Sequence, residues 1–275
     1  MTQRSDIAIV GGGPVGASLA LALAGSGLSV TMLEAKTEVA ADPRALALSY
    51  GTRQILRQLG AWLPDEAATA IATVHISQQG GFGRAELSAQ ESGIPALGYV
   101  ANYPDLARTL RQKLAAAPVR FLAGTEATAV TVSDEAAEIA YVHDGQACAL
   151  AAKLLVLADG GRSLGDLPGM KLSVRDYRQC ALLARVKTDQ PHRNRAFERF
   201  TAKGPIALLP SGGEWALVWT VAAEEAEILG ALDDKAFLAA LQQRFGQRAG
   251  RFLGVRERGN FPLALKQTRP VTGPR

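Results

Sequence analysis

A glycine-rich segment near the start of the chain has the residue types and spacing of a phosphate-binding turn. Residues 11–16 read Gly-Gly-Gly-Pro-Val-Gly and directly follow the apolar stretch 6–10. In this spacing Gly11 makes a tight turn, Gly13 lets phosphates approach the backbone, and Gly16 lets the next helix pack closely on a sheet. The amides that open this helix would bind anionic oxygens. The dinucleotide-binding residues predicted here are Gly11, Gly13, Pro14, Val15 and Gly16.

The elements around this turn have the order that a dinucleotide site requires. Residues 17–23 are small and apolar, which predicts a helix, and residues 25–27 end it. Residues 28–33 then predict a second strand, and Glu34 follows it. A carboxylate at that point can accept hydrogen bonds from ribose hydroxyls. A glycine-rich turn without a ligand remains the alternative.

Composition limits the class of protein. The chain has 275 residues, 48% of them hydrophobic, which is enough for one large domain or two interleaved ones. Its 30 basic and 26 acidic residues leave a net charge of +4, too slight and too scattered to indicate nucleic-acid binding. We see no secretory leader and no apolar run of ~18 residues, so we expect a cytoplasmic protein without a spanning helix.

Cysteines and histidines indicate neither a disulfide framework nor a metal site. Cys148 and Cys180 are isolated, which is typical of a reducing compartment. His75, His143 and His192 are far apart and lack the spacing of metal ligands. We therefore expect no bound metal.

The remaining elements predict a mixed fold. Helices are expected at residues 50–59, 104–116 and 233–245, and a hairpin at 73–77 and 84–87. Strands of a first sheet are expected at residues 119–122, 128–132, 138–142 and 154–157, the last wholly apolar and therefore buried. Strands of a second sheet are expected at residues 180–186, 206–209 and 215–221.

Three separate features together resemble a known superfamily. Residues 11–16 with Glu34, the segment containing Arg44, and Ala-Asp-Gly at 158–160 are similar to the class A flavoprotein aromatic monooxygenases. A nicotinamide dehydrogenase would need only the first of these features. The resemblance is narrower still, to the ubiquinone-biosynthesis hydroxylases, and covers nearly the whole chain. The segments that carry it are residues 42–49, 69–77, 195–200 and 204–205.

The resemblance implies an α/β fold in which two units are interleaved. One is a Rossmann-like FAD-binding domain of the GR2 type, at residues 1–71 and 101–170. The other is a β-sheet substrate domain, at residues 72–100 and 171–265. Residues 266–275 would begin the return to the FAD domain. A second flavin signature of the family does not occur before Arg275, so we expect a truncated chain in which FAD binding and turnover are in question.

The resemblance also implies which residues hold FAD. Arg44 would pair with the pyrophosphate, Asp159 and Gly160 would contact the flavin nucleotide and reduced pyridine nucleotide, and Asn102 and the backbone of Ala127 would contact the flavin. Each has a structural alternative. In these alternatives Arg44 forms a surface salt bridge, Asp159 and Gly160 form a structural turn, and Asn102 caps a turn.

In this family the cofactor carries the chemistry, so the resemblance implies no catalytic side chain. NAD(P)H reduces FAD, O2 adds at the flavin C4a position as a hydroperoxide, and one hydroxyl passes to a phenolic ring. The substrate would be a prenylated phenol in ubiquinone biosynthesis. Aromatic and proline residues of the second sheet would line its pocket, although packing in the core is the commoner role of such residues. The candidates are Phe197, Phe200, Trp215, Trp219 and Pro262.

A prenyl tail partitions into the bilayer, so the resemblance also implies peripheral association with the inner membrane or with a multi-enzyme complex. The oligomeric state is left open. Two other functions stay open as well: a flavin hydroxylase of a different, soluble phenol, and a non-catalytic FAD-binding fragment.

Overall fold

Four parallel strands carry the glycine-rich turn at their carboxyl edge. The computed structural model of the protein describes residues 3–161 and 170–273. Two further strands extend the parallel set in antiparallel pairing. In spatial order the first sheet is β8 (Arg120–Ala123), β2 (Val30–Glu34), β1 (Gln3–Val10), β11 (Gln146–Leu157), β10 (Ala137–His143) and β9 (Thr125–Val132).

Helices cover one face of the parallel strands. These are α1 (Pro14–Leu23), α2 (Tyr50–Gln58) and α3 (Tyr103–Ala115). Ile9 and Met32 are fully buried beneath them, together with Leu110 of α3. The regular i, i+4 spacing of the leucines in α3 is what turns its apolar side toward the sheet.

A small sheet connects this layer to a second, larger sheet. It consists of β3 (Ala45–Ser49), β7 (Gly98–Asn102) and β4 (Ala68–Ile71), with a short 3-10 helix at Asp65–Ala67. Ile71 and Val100 of this small sheet pack against Ala196 in the larger one. We call the first sheet, its helices and the small sheet the first unit, and the larger sheet with its own helices the second unit. A buried apolar contact therefore joins the two units.

The larger sheet has seven strands and is antiparallel except where β13 (Arg195–Phe200) runs parallel to β5 (Thr73–Gln78). In spatial order it is β16 (Phe252–Arg269), β12 (Lys171–Thr188), β15 (Glu214–Ala222), β14 (Ile206–Ser211), β13 (Arg195–Phe200), β5 (Thr73–Gln78) and β6 (Arg84–Ser88).

The two faces of this sheet have different neighbours. On the helix face, α4 (Ala223–Ala231) and α5 (Asp234–Phe245) enclose a core in which Phe237 packs on Trp219. The opposite face, which we call the inner face, contains Ala196 and packs on the small sheet. Side chains alternate between the two faces along each strand.

Most of the predicted helices and strands are present, with several differences. Residues 45–49, like the ranges of β4, β7 and β13, were not predicted as a strand, and they form one because they pair with β7. Neither α4 nor the long strand β16 was predicted from the sequence. The strand at 154–157 was expected to be buried, but Leu154 is 45% exposed and Leu157 is 36% exposed.

The proposed domain boundaries stay a prediction. Residues 266–269, assigned to the return segment, still pair with residues 171–174 in the larger sheet. The parts of the division that fall on residues 1–2, 162–169 and 274–275 lie outside the described residues.

Candidate cofactor site and adjoining cleft

Gly11 and Gly16 are required by close packing inside the turn. Gly11 has a φ of +108°, and a Cβ there would lie 2.5 Å from the carbonyl oxygen of Ala158. A Cβ on Gly16 would lie 2.0 Å from the carbonyl oxygen of Gly11. Real Cβ atoms do not approach backbone so closely. These two glycines therefore hold the first strand, the helix and the end of β11 together.

Gly13 is different, because none of the described residues fills the space beside it. The nearest heavy atom to a Cβ on Gly13 is the Tyr103 hydroxyl, at 4.0 Å. Gly13 is the N-cap of α1, no side chain caps it, and Pro14 occupies the first turn. Val15 is 75% exposed beside it. This open cradle at the positive end of a helix has the shape and polarity that a pyrophosphate requires.

The Glu34 carboxylate is held in position beside the same turn. One oxygen accepts a hydrogen bond from the Gly12 amide at 2.6 Å, and the other accepts from the Lys36 amide at 2.9 Å. The carboxylate is therefore oriented by backbone before any ligand arrives. This position fits the predicted contact with ribose hydroxyls.

The segment at 158–160 lies directly against the turn, although it is about 150 residues away in sequence. The Ala158 amide donates to the carbonyl of Val10 at 2.7 Å, as a continuation of the parallel pairing of β1 and β11. The Asp159 carboxylate accepts from the Gly161 amide at 2.9 Å. Gly160 has a φ of +72°, which completes a tight turn.

Arg44 lies near the cradle but already has a partner. Its guanidinium makes a two-pronged pair with Asp42, with a closest distance of 2.6 Å, and stacks 4.9 Å from the centre of the Tyr103 ring. The hydrogen bonds from Arg44 lower the pKa of Asp42. The side chain remains 42% exposed, so both the predicted flavin role and a surface salt bridge fit this geometry.

Asn102 and Ala127 occupy different surroundings. Asn102 precedes α3, and its side-chain amide donates to Asp105 at 3.0 Å while its oxygen accepts from Arg185 of the larger sheet. Ala127 is buried in a cluster that also contains Leu33, beneath the strand that ends at Glu34. Asn102 therefore lies between α3 and the larger sheet, Ala127 lies in the core, and the contacts of both with a flavin stay predictions.

A cleft of about 980 Å³ separates the first unit from the larger sheet. Its wall on the first unit includes Asp42, Pro43 and Asn102, and its wall on the larger sheet includes Arg185 and Ser211. A run of contacts connects the Gly13 cradle with this cleft, through Tyr103, Arg44 and Asn102. An elongated dinucleotide could thus lie with its pyrophosphate at the start of α1, its adenosine at Glu34 and its other end in the cleft.

Arg185 is the main polar link across the cleft, and the sequence analysis missed it. Its side chain is 9% exposed, donates to the Ser211 hydroxyl at 2.6 Å and to Asn102, and lies 3.7 Å from Glu257. Burial lowers its pKa. The sequence signal was a single arginine inside the otherwise apolar run 180–186, at an inner-face position of the strand.

The predicted substrate-lining residues fall on both faces of the larger sheet. Phe197, Trp215 and Trp219 are buried in the helix-face core. Pro262 pairs with Cys180, a residue of that same core, and so belongs to the helix face by register. The burial of Phe197, Trp215 and Trp219 favours the packing alternative for these three residues, whereas Pro262 is exposed. Phe200 is 50% exposed and belongs to the inner face.

Removing Arg185 is expected to weaken the contact between the two units. Arg185→Ala should lower the free energy of unfolding by about 2 kcal/mol, because hydrogen bonds from a buried charged group are lost. Arg256→Ala is the control, since Arg256 is 55% exposed in its pair with Glu214 and should contribute under about 1 kcal/mol. Urea unfolding measures both. Equal losses for the two variants would contradict the importance of Arg185.

Glu198 is a half-buried carboxyl on the inner face, and burial raises its pKa. The unfolded chain therefore loses this proton at lower pH than the folded protein does, so stability falls as pH rises from the ordinary carboxyl pKa to the raised value. Glu198→Gln should melt at a higher temperature than wild type at about pH 7 and equally at about pH 4. Thermal melts measured against the exposed-site control Glu138→Gln test this. If Glu198→Gln and wild type differed in melting temperature by the same amount at both pH values, the raised pKa of Glu198 would not explain the difference.

Comparison with known proteins identifies the fold and its family. A family model described as FAD binding domain matches residues 4–251. The solved structure of p-nitrophenol 4-monooxygenase PnpA from Pseudomonas putida DLL-E4 superposes with a TM-score of 0.73 over 98% of this chain and 70% of that one, at 17% identity. The predicted α/β fold with an interleaved β-sheet unit is confirmed.

Curated relatives agree with the narrower resemblance. Ubiquinone hydroxylase UbiL of Rhodospirillum rubrum is 31% identical over 95% of this chain and 62% of its own length. The 3-demethoxyubiquinol 3-hydroxylase of Escherichia coli is 29% identical over 96% of this chain and 69% of its own length. The resemblance to ubiquinone-biosynthesis hydroxylases is confirmed, over about two thirds of these relatives.

Proposed function

Because this chain belongs to the FAD binding domain family, we propose that the protein is an FAD-dependent hydroxylase of a prenylated phenol in ubiquinone biosynthesis. NAD(P)H and O2 are its co-substrates. One observation carries the proposal: the turn at Gly13, the oriented Glu34 and the Asp159 segment meet at one helix end beside a cleft. The names of the relatives supply the reaction class.

The residues present fit FAD. The Gly13 cradle and the amides of α1 would take the pyrophosphate, and Glu34 would take the adenosine ribose. Arg44 would neutralise phosphate charge from its place beside Tyr103. When bound, FAD would supply the redox chemistry, with NAD(P)H as the hydride donor and O2 as the source of the oxygen atom that enters the ring, the other atom leaving as water.

The protein's own task is to orient the phenol and exclude water. The cleft between the two units would admit the ring, with Arg185 and Ser211 as hydrogen-bond donors on one wall and Asn102 on the other. Donors fixed in a buried network orient a ligand at little entropic cost. Substrate contacts of the inner-face Phe200 stay part of the proposal, and the helix-face aromatics stay candidates only for packing beneath the pocket wall.

The charged rim of the cleft favours a second candidate, a soluble phenol. Glu66, Arg108, Glu214 and Arg256 all border the opening. Charged groups there would bind a polar substituent better than a prenyl chain. The experiment below therefore includes both kinds of phenol.

The test is to reconstitute the protein with FAD and follow substrate-dependent NAD(P)H oxidation with prenylated and unprenylated phenols. A form extended to the length of the relatives is assayed in parallel. Mass spectrometry should find a product carrying one additional oxygen, formed faster from the prenylated phenol. Flavin binding without product in either form would instead support a non-catalytic FAD-binding protein, and faster turnover of the unprenylated phenol would support the second candidate.

We also propose peripheral association with a membrane or a multi-enzyme complex, because a prenylated substrate resides in the bilayer. Within the described ranges, none of the helices has the length and apolar character needed to cross a bilayer. Access to the substrate would then depend on a surface of the folded protein.

A further inference from the structure

An aromatic side chain projects into water at one corner of the larger sheet. Phe82 lies in the turn between β5 and β6 and is fully exposed, at 110% of its reference area. Glycines flank it on both sides, and Gly83 has a φ of +138°. The fold itself gives this phenylalanine no packing partner. One exposed apolar side chain needs no explanation by itself, but a cluster of them marks a contact surface.

A second exposed phenylalanine lies at the same corner. Phe200 ends the neighbouring strand β13 and is 50% exposed. The Gln79 amide donates to the Phe200 carbonyl at 2.8 Å, which fastens the turn that carries Phe82 to the end of β13. We call residues 78–84 and 199–204 the aromatic corner. Its backbone is tied down, so the two rings protrude from a fixed base.

The charged residues of the aromatic corner are all basic. Neither segment contains an acidic residue. Arg84 is exposed, and Lys203 is 66% exposed with its ammonium 3.5 Å from Glu225 at the margin. Long basic side chains beside apolar groups can place their charges at lipid phosphates while the apolar groups enter the bilayer. The combination is typical of an interfacial membrane contact.

The inner face of the sheet connects this corner with the cleft. Phe200 shares that face with Glu198 two residues earlier, and Glu198 pairs across the sheet with Ala207. Ala207 in turn pairs with Val218, which pairs with Leu183, two residues from Arg185 in the cleft wall. The row is half-buried and apolar apart from Glu198.

We infer that the aromatic corner is the surface by which this protein rests on a membrane that contains anionic lipids, with Phe82 inserted among the acyl chains and Arg84 and Lys203 at the phosphates. On this membrane surface, a prenyl chain would leave the bilayer at Phe200 and enter along the inner face toward Arg185. That path rests on the proposed function. The lipid contact itself requires no flavin.

Vesicle sedimentation tests the contact on the whole 275-residue protein. Phosphatidylcholine vesicles containing phosphatidylglycerol should bind it, and phosphatidylcholine vesicles alone should bind it more weakly. Phe82→Ser should weaken partitioning about 20-fold, which is roughly 1.8 kcal/mol at 1.4 kcal/mol per tenfold. Leu253→Ser is the matched control, because Leu253 is 57% exposed on β16 at the opposite edge of the sheet. It should bind like wild type.

A gain of signal complements this loss. Phe82→Trp should retain vesicle binding. The additional tryptophan fluorescence of this variant should be quenched by brominated acyl chains, and the additional fluorescence of Leu253→Trp should not be quenched. Absence of vesicle binding by the wild type, or equal binding by the two serine variants, would overturn the inference. So would a change in molar mass by light scattering for Phe82→Ser, since the corner would then be a protein interface.

The flavin-dependent activity is read separately. Phe82→Ser should retain wild-type FAD binding and wild-type oxidation of NAD(P)H with a soluble, unprenylated phenol. Loss of vesicle binding with these activities intact supports the inference. Vesicle binding by a protein that never hydroxylates any phenol would leave the membrane surface standing and refute the proposed function.

Discussion

Replacing Gly13 by aspartate is expected to abolish FAD binding while the protein stays folded. A Cβ added at this position would meet no heavy atom of the described residues closer than 4.0 Å, so we expect the fold to tolerate the substitution. The new carboxylate would occupy the phosphate cradle at the start of α1 and repel the pyrophosphate. We expect FAD affinity to fall by at least about 100-fold, or roughly 2.8 kcal/mol. Quenching of flavin fluorescence measures the affinity, and circular dichroism verifies the fold.

Gly25→Asp provides the matched control for that substitution. Gly25 lies just beyond the other end of α1 and is exposed, and a Cβ added there would meet no heavy atom within 4 Å. The same charge is thus added at the far end of the same helix, and FAD affinity should stay within about twofold of wild type. Full flavin retention in Gly13→Asp would place the dinucleotide elsewhere.

Replacing Gly16 by alanine is expected to destabilise the whole first unit. The added methyl would lie 2.0 Å from the Gly11 carbonyl oxygen, which is backbone and cannot rotate away. Helix α1 must therefore move off the sheet, and we expect a loss of about 3 kcal/mol in the free energy of unfolding. FAD binding should fall as well, because the cradle loses its shape. Urea unfolding followed by circular dichroism measures the loss.

Gly230→Ala is the control for the alanine substitution. Gly230 lies inside α4, where a Cβ would have open space, so alanine should raise stability by up to about 1 kcal/mol through helix propensity. Opposite signs at the two glycines are the expected pattern. Equal stability of Gly16→Ala and wild type would show that close packing does not explain this glycine.

The sequence predicted the core of the site because its determinants are local. The turn at 11–16, the strand that follows it and Glu34 lie within about 25 residues of one another. The Asp159 segment joined them through resemblance. Its contact with Gly11 then follows physically, because parallel strands β1 and β11 bring their carboxyl ends to the same edge.

The cleft could not be predicted in the same way. Asn102 and Arg185 are 83 residues apart, and their contact depends on how two sheets dock. The periodicity of a sequence also predicts that side chains alternate between the two faces of a strand, but it does not predict which face other elements will cover. Trp219 and Arg185 lie on neighbouring strands, and their side chains are on opposite faces of the sheet. Trp219 is in the core because α4 and α5 cover its face. The resemblance that implies a pocket lined by aromatic residues therefore does not distinguish them from aromatic residues of the core.

Calorimetric titration with ADP and with FMN tests the central claim most directly. ADP carries the adenosine and the pyrophosphate that the Gly13 cradle and Glu34 would hold, whereas FMN carries neither. The account predicts saturable one-to-one binding of ADP that competes with FAD and disappears in Gly13→Asp, and much weaker binding of FMN. Tight binding of FMN without binding of ADP would contradict a dinucleotide held by its phosphates at the start of α1.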